Sequence, residues 1–426
     1  MFEQWLDVEC ACGKKHSLTT RDFFIERDAY ANLPALLEKL QLGSKPLAVF
    51  DSNTYKAAHG TLEQYLPDTD ALILQGDDIH ADEKSIEAVA GALAGHSVIL
   101  AVGAGVINDV TRYVSFKEGV PFISMPTAAS VDGFVANAAV VTLNGMKRTM
   151  PAAAPVAVVA DLDIIAAAPA YLAASGVGDM LSKYISIADW KVGSLIAGEY
   201  YCSLIAQMEL DALALIAERI DGIAAGDPES IGKLMEGLVI SGLAIQMASI
   251  TRPASSFEHH FSHYLEVVPL NGKISTALHG EKVGIASLIA AKYYPLFAHR
   301  LERIFRENLP NRFSGQRIRE YYSGCPDTLV ESIIQENTPN ISCNLDVPAL
   351  EQHYSDVVEI ADGLPSPDFL HDILKKVGGM TDYRELGMTP SHFRKIMKSC
   401  CYIRNRFTLL RLMSDYELFD FDMMDD

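Results

Sequence analysis

Positive charge is scarce in this chain. Its 426 residues carry 35 Lys and Arg against 55 Asp and Glu, a formal net charge of −20, which argues against general nucleic-acid binding. A phosphate group would have to be met by local basic groups, not by a global field. A disulfide framework is also lacking. Seven cysteines, an odd number spread thinly, suit reduced thiols better than a scaffold of bridges. No run of 18 apolar residues occurs. The nearest, Leu234–Ile250, contains Glu236 and Gln246 and reads as a buried helix, with no role for a membrane. The acidic start, MFEQWLDVEC, has no apolar signal core, so the expectation is a soluble cytoplasmic protein. Internal repeats and low-complexity tracts are missing too.

What is present is apolar mass. Hydrophobic residues make up 49% and charged residues 21%, enough for well-buried cores in two or three domains. Residues 28–43 have leucines at helical spacing, and Gly43 stands where a C-terminal cap would. Strand Lys45–Phe50, a helix through Tyr55–Tyr65, strand Ala71–Leu74, helix Asp82–Leu93 and strand Ser97–Val102 follow. A Gly-Ala-Gly turn, a helix from near Val106 and strand Pro121–Met125 complete a βαβ unit. This alternation predicts a mostly parallel sheet with helices on its faces. Val135–Leu143 and Val156–Ala160 read as further strands, with a turn at Asn144-Gly145. From Tyr184 on nearly every apolar run has helical period, including Gly198–Ile220, Ser230–Ile250 and Ser391–Leu412, and no strand is expected after about residue 165. The fold class is therefore α/β plus all-α: a Rossmann-like nucleotide-binding domain over residues 1–165 and a helical metal- and substrate-binding domain over 166–426. The acidic end, Asp415–Asp426, is expected to fray.

A glycine turn opening a helix brings bare N–H groups close to a phosphate. Here the pattern departs from the dinucleotide fingerprint G-x-G-x-x-G, because Asn108 stands where the third glycine would be. Near the N-terminus, Cys10, Cys12 and His16 group two thiols with an imidazole. A second ligand pair is missing, so a β-turn with free thiols is the expectation. In the helical half, Asp179 follows a glycine pair, His259 and His263 lie one turn apart, and His279 opens another helix. Each has a bland explanation: a cap carboxylate, or a polar helix face. Together, one carboxylate and two imidazoles suit a catalytic divalent ion with open positions. Which two histidines bind it stays open at this level.

The ordered motifs GAGVIND, PTAASVDG, ADLDIIAAAP, GVGDMLSKYISIADW, RPASSFEHHFSHYLE and LHGEKVG resemble those of the sn-glycerol-1-phosphate dehydrogenases, in particular the bacterial branch encoded beside arabinose operons. That family lies in the iron-containing alcohol dehydrogenase and dehydroquinate synthase-like superfamily. The resemblance covers roughly residues 10–300 by motif. It implies NAD(P)H-linked, metal-dependent, reversible reduction of dihydroxyacetone phosphate to sn-glycerol 1-phosphate. By position it implies Asp179, His259 and His279 as metal ligands, with Asp132, Asp179 and His263 at the substrate. Gly105, Val106, Ile107, Asn108 and Asp109 match the pyrophosphate loop. Thr127, Ser130 and Ala136 match further cofactor contacts, and Asp51 the acid near the adenosine ribose. Ala136 replaces a serine common in archaeal members. Asp51 favours NAD(H), although some members also take NADP(H); the one divalent ion per subunit would be zinc or nickel, and a homodimer is implied. Lys147, Arg148 and Arg252 are candidates for the substrate phosphate. The competing readings are a glycerol dehydrogenase, a dehydroquinate synthase-like lyase, which would need more cations than Lys273 and Lys282, and a non-catalytic nucleotide sensor.

Overall fold

The computed structural model describes residues 5, 9–43, 45–76, 79–143, 146–268, 277–420 and 424. The expected Asn144-Gly145 turn and Lys273 lie outside these residues. Contacts divide the chain into two compact units. The first comprises Met1–Met180, Leu204–Thr251 and Lys376–Gly378; the second comprises Leu181–Ser203, Arg252–Lys375 and Gly379–Asp426. The helices of 204–251 thus pack with the sheet, so the compact units do not follow a single cut near residue 165.

The first unit is built on strands β1 (Asp22–Glu26), β2 (Pro46–Asp51), β3 (Asp70–Leu74), β4 (Val98–Val102), β5 (Phe122–Met125) and β8 (Ala157–Asp161), all parallel, in the order β1-β8-β5-β4-β2-β3. Strands covered on both faces read as unbroken apolar runs, which is why VILAV and AVVAD were legible. Two cores sandwich the sheet. One involves Leu33, Phe50 and Leu62, the other Val89, Ile107 and Val114. They come from helices α1 (Leu33–Lys39) and α2 (Ser52–Tyr65) for the first, and α3 (Glu83–Ala92) and α4 (Gly105–Glu118) for the second. The chain moves outward from β2 to β3 and then returns to the other side of β2 as β4. The carboxyl ends of β2 and β4 flank that reversal, the place where open α/β sheets bind ligands.

Two strands were not foreseen. β1 is a half-buried edge strand bounded by acids, and β7 (Met146–Pro151) pairs antiparallel with β6 (Ala138–Leu143) in a separate two-stranded sheet. The expected strand Val135–Leu143 begins only at 138, because Gly133–Val135 is a 3-10 turn.

The chain beyond β8 is helical among the described residues, with α5 (Leu162–Ala166), α6 (Ala170–Ile196), α7 (Ser203–Ala217), α8 (Ile220–Ala224), α9 (Pro228–Ala248), α10 (Phe257–Val267) and α11 (His279–Arg300) leading to shorter C-terminal helices. α9 is apolar enough in length and composition to cross a membrane, yet 89% of its apolar window is buried within the protein. The expected helix Gly198–Ile220 starts only at Ser203, and Gly198 takes the left-handed conformation that L side chains avoid. The run Ser391–Leu412 is likewise broken between helices Pro390–Ser399 and Leu409–Asp415. The C-terminal stretch is not frayed where it is described: Asp415 is fully buried, and Leu418 and Met424 join the second unit's core.

Candidate active site

At the carboxyl end of β4 the turn has a defined internal support. A Cβ on Gly103 would come within 2.6 Å of Ile107, so only glycine lets the turn close onto α4. Asn108, in place of the third glycine, donates through Nδ2 to the carbonyls of Gly103 (3.0 Å) and Ala104 (3.2 Å), and its Oδ1 accepts from Ser124 on β5 at 2.7 Å. The departure from the fingerprint is thus a side-chain clamp on the turn. Ile107 and Asn108 are buried, whereas Val106 is exposed. Asp109 lies 3.8 Å from the guanidinium of buried Arg112, which donates to the carbonyls of Ala136 and Ala138 and so fixes the backbone at Ala136. On β2, Asp51 caps α2: Oδ1 accepts from the amides of Asn53 (2.7 Å) and Thr54 (2.9 Å). Both bonds fall on one oxygen, Oδ1.

The segment after β5 carries Thr127, Ser130 and Asp132, and two glycines let helices press against it. A Cβ at Gly176 on α6 would sit 2.1 Å from the carbonyl of Ala129, and one at Gly242 on α9 would sit 2.8 Å from that of Asp132. Asp179, one turn beyond Gly176 and fully buried, accepts from the amide of Asp132 at 2.9 Å. It lies inside α6 and is not a helix cap. Ser175 donates to the carbonyl of Ser130 at 3.1 Å. The hydroxyl of Ser241 lies 3.0 Å from both Asp132 Oδ2 and Glu209 Oε1. One hydroxyl hydrogen serves one acceptor at a time, so Ser241 donates to one of these two carboxyl oxygens at any moment.

In the second unit α10 and the start of α11 gather three imidazoles. Ring centroids are 6.2 Å apart for His259 and His263, 5.0 Å for His259 and His279, and 5.7 Å for His263 and His279. The donor atoms of His259 and His279 lie within 4.8 Å of one another. Each ring is held through Nδ1. Glu258 Oε1 stands 3.0 Å from that of His259, Glu266 Oε2 3.1 Å from that of His263, and Ser262 Oγ 3.2 Å from that of His279. Fixing Nδ1 orients Nε2 as the ligand atom, the usual arrangement behind a metal-bound histidine. The donor set therefore fits a divalent transition metal.

Two carboxylates of this unit escaped the sequence reading. Glu266 serves His263, lies 3.7 Å from His279 and pairs with Lys282 at 2.9 Å. Glu258 is fully buried, and desolvation pushes its carboxyl up to about 7 against the pull of its own and the Ser256 amides, Lys183 and Arg406. Burial drives the His263 imidazole down to about 3, with Glu266 opposing, so His263 is neutral near pH 7. The only signal for either acid was position: Glu258 precedes His259, and Glu266 lies one turn beyond His263.

The candidate phosphate cations fare differently. Arg252 is buried, pairs with Glu199 at 2.6 Å and donates to the Asp189 carbonyl at 3.0 Å, while its Nε has no partner among the described residues. Arg148 is exposed on β7, and the side chain of Lys147 lies outside the described set. Lys282, bound to Glu266, offers little to a lyase substrate.

Residues 24–169 match the family model described as iron-containing alcohol dehydrogenase. The chain is 32% identical over 424 residues to the glycerol-1-phosphate dehydrogenase (NAD(P)+) of Geobacillus thermodenitrificans, covering 97% of both chains. It is 33% identical over 417 residues to the enzyme of that name from Halalkalibacterium halodurans, covering 96% of each. The one from Pyrococcus horikoshii is 35% identical over 275 residues, 64% of this chain and 78% of that one. Among solved structures, 1,3-propanediol oxidoreductase superposes with a TM-score of 0.62 at 15% identity, covering 92% of this chain and 94% of that one. A probable glycerol dehydrogenase from Sinorhizobium meliloti gives 0.60 at 18% identity, covering 90% and 89%. At such identities the structural likeness speaks for the fold alone.

Proposed function

Because this chain belongs to the glycerol-1-phosphate dehydrogenases, we propose that it catalyses the reversible, NAD(P)H-linked reduction of dihydroxyacetone phosphate to sn-glycerol 1-phosphate. The observation that carries this reading furthest is the full-length similarity, together with the three oriented imidazoles. In this reading residues 1–165 bind the dinucleotide and residues 166–426 supply metal and substrate contacts. Asp179, His259 and His279 would hold one divalent ion, zinc or nickel, whose contribution when bound is Lewis-acid stabilisation of the negative charge that hydride transfer puts on the substrate oxygen. The nicotinamide supplies the hydride, and the chain's task is position.

The chain's own groups divide that task. The Gly103–Gly105 turn and the amides opening α4 receive the pyrophosphate, with Val106 and Asp109 on that first turn. Thr127, Ser130 and the backbone at Ala136 border the cofactor, and Asp51 Oδ2 receives the ribose, favouring NAD(H) while leaving NADP(H) usable. His263, neutral, and Asp132 contact the substrate. Ser241 lies between Asp132 and Glu209, and in this reading Asp132 relays the proton to the developing alkoxide. The enzyme is proposed to work in the cytoplasm as a homodimer.

Oxidation of NADH with dihydroxyacetone phosphate should stop on chelation and return with zinc or nickel. The product should be the sn-1 and not the sn-3 phosphate. Turnover of dihydroxyacetone but not of its phosphate would move the protein to the glycerol dehydrogenases. A second expectation concerns Glu266. Glu266→Ala should weaken metal affinity by about 10–100-fold, because His279 loses the carboxylate 3.7 Å from its Nδ1. Competition with a chromophoric chelator measures this, and an unchanged affinity would remove Glu266 from the metal's support.

A further inference from the structure

The sequence CACGKKH near the N-terminus is not used by the chemistry above, yet its side chains are arranged as donors. An isolated antiparallel bridge pairs Glu9 with Lys15. Within the loop it closes, Gly13 takes a left-handed conformation (φ +79°) and its amide reaches back to the Cys10 carbonyl at 3.4 Å. The amide of Cys12 points at the sulfur of Cys10 at 3.5 Å. Sγ of Cys12 lies 3.2 Å from Nε2 of His16. His16 is only 1% exposed, and its Nδ1 lies 2.8 Å from the carbonyl of Met247 on α9. A carbonyl only accepts, so Nδ1 carries the proton and Nε2 turns its lone pair toward the thiols. The donor atoms of Cys10, Cys12 and His16 all lie within 4.8 Å of one another.

We propose that Cys10, Cys12 and His16 bind a structural zinc ion, separate from the catalytic metal. Two soft sulfurs and an imidazole fixed through its second nitrogen select zinc over oxygen-seeking cations. The ion fastens the N-terminal loop to α9, where Thr19 and Thr20 already bond Gln246. Binding displaces the thiol protons to solvent and involves no redox change.

The test is metal content by mass spectrometry on full-length protein purified under reducing conditions with zinc supplied. The Asp179→Asn chain, which lacks a catalytic ligand, should retain one zinc equivalent. Adding Cys10→Ser and Cys12→Ser should remove it. X-ray absorption on the zinc-loaded Asp179→Asn chain should show the two sulfurs of Cys10 and Cys12 and the imidazole of His16. His16→Cys, which keeps a donor at the site, should raise the sulfur count by one and abolish the imidazole signal. This second variant, and the spectrum of the cysteine-intact chain, keep the proposal testable should the serine variants fail to fold. Zinc bound without sulfur ligands, or an unchanged zinc content in folded Cys10→Ser/Cys12→Ser protein, would overturn it. So would a cysteine-intact chain that takes up no zinc beyond the catalytic equivalent.

Discussion

His259→Ala and Asp179→Asn should each lower turnover by about three orders of magnitude or more, while NADH still binds. The asymmetry follows from where the residues lie. The glycine turn, its Asn108 clamp and the Asp51 cap belong to the sheet and its flanking helices, and neither substitution touches them. His259 stands on α10, oriented by Glu258. Asp179 stands on α6, where its carboxylate accepts from Asp132. Asparagine at 179 keeps the size and an acceptor oxygen but removes the charge a divalent ion needs, so metal occupancy should fall with activity. Steady-state turnover, NADH fluorescence titration and metal content, measured on the same preparations, separate the possibilities. Full activity in a metal-stripped His259→Ala protein would sink the metal assignment. Loss of NADH binding alongside activity would mean that the substitution had damaged the fold instead.

Much of the sheet was legible because its central strands are buried on both faces and carry unbroken apolar runs. β1 was not, since a half-buried edge strand of five residues with acids at both ends offers no such run. β7, reading MKRTMP, is a strand only because β6 lies beside it, and pairing is a tertiary fact. The candidate site divides in the same way. Histidines and a glycine-flanked aspartate stand out by type, and the family motifs gave them roles. Glu258, Glu266 and Glu209 do not stand out, because a carboxylate on a helix normally faces water. Only the fold places these acids inside, where they turn imidazoles or share a hydroxyl. The partners of Arg252 were likewise hidden in the sequence: a basic residue in a family motif, paired in the fold with Glu199 and a carbonyl.

Arg411→Leu should destabilise the second unit by about 3–5 kcal/mol. Arg411 is fully buried. Its Nη1 donates to Asn340 Oδ1 (3.2 Å), and the two hydrogens of Nη2 are shared among Asn337 Oδ1 (2.7 Å), the Arg404 carbonyl (2.7 Å) and the Cys401 carbonyl. Its nearest carboxylate, Asp415, is 4.0 Å away and takes its own hydrogen bonds from Ser342 (2.6 Å), Tyr402 (2.6 Å) and Asn340 (3.2 Å). The planar fork holding four acceptors therefore matters more than the ion pair, and two orderings follow. Arg411→Lys should lose nearly as much as Arg411→Leu, since a point charge cannot span the same acceptors. Asp415→Asn should lose less, because most of its partners can still donate to an amide oxygen. Urea unfolding followed by a probe in the second unit gives the order, and an Asp415→Asn loss larger than that of Arg411→Lys would return the weight to the ion pair. The effect should reach the site. Leu409, two residues before Arg411, donates to Asp189 at 2.9 Å. Asp189 also receives Ser256, the residue capping α10, and Tyr294 of α11 at 2.8 Å. Arg406 adds a bond to the carbonyl of Ser255. The same C-terminal segment that Arg411 organises thus seats the helix carrying His259, so its loosening should weaken metal binding before the unit unfolds.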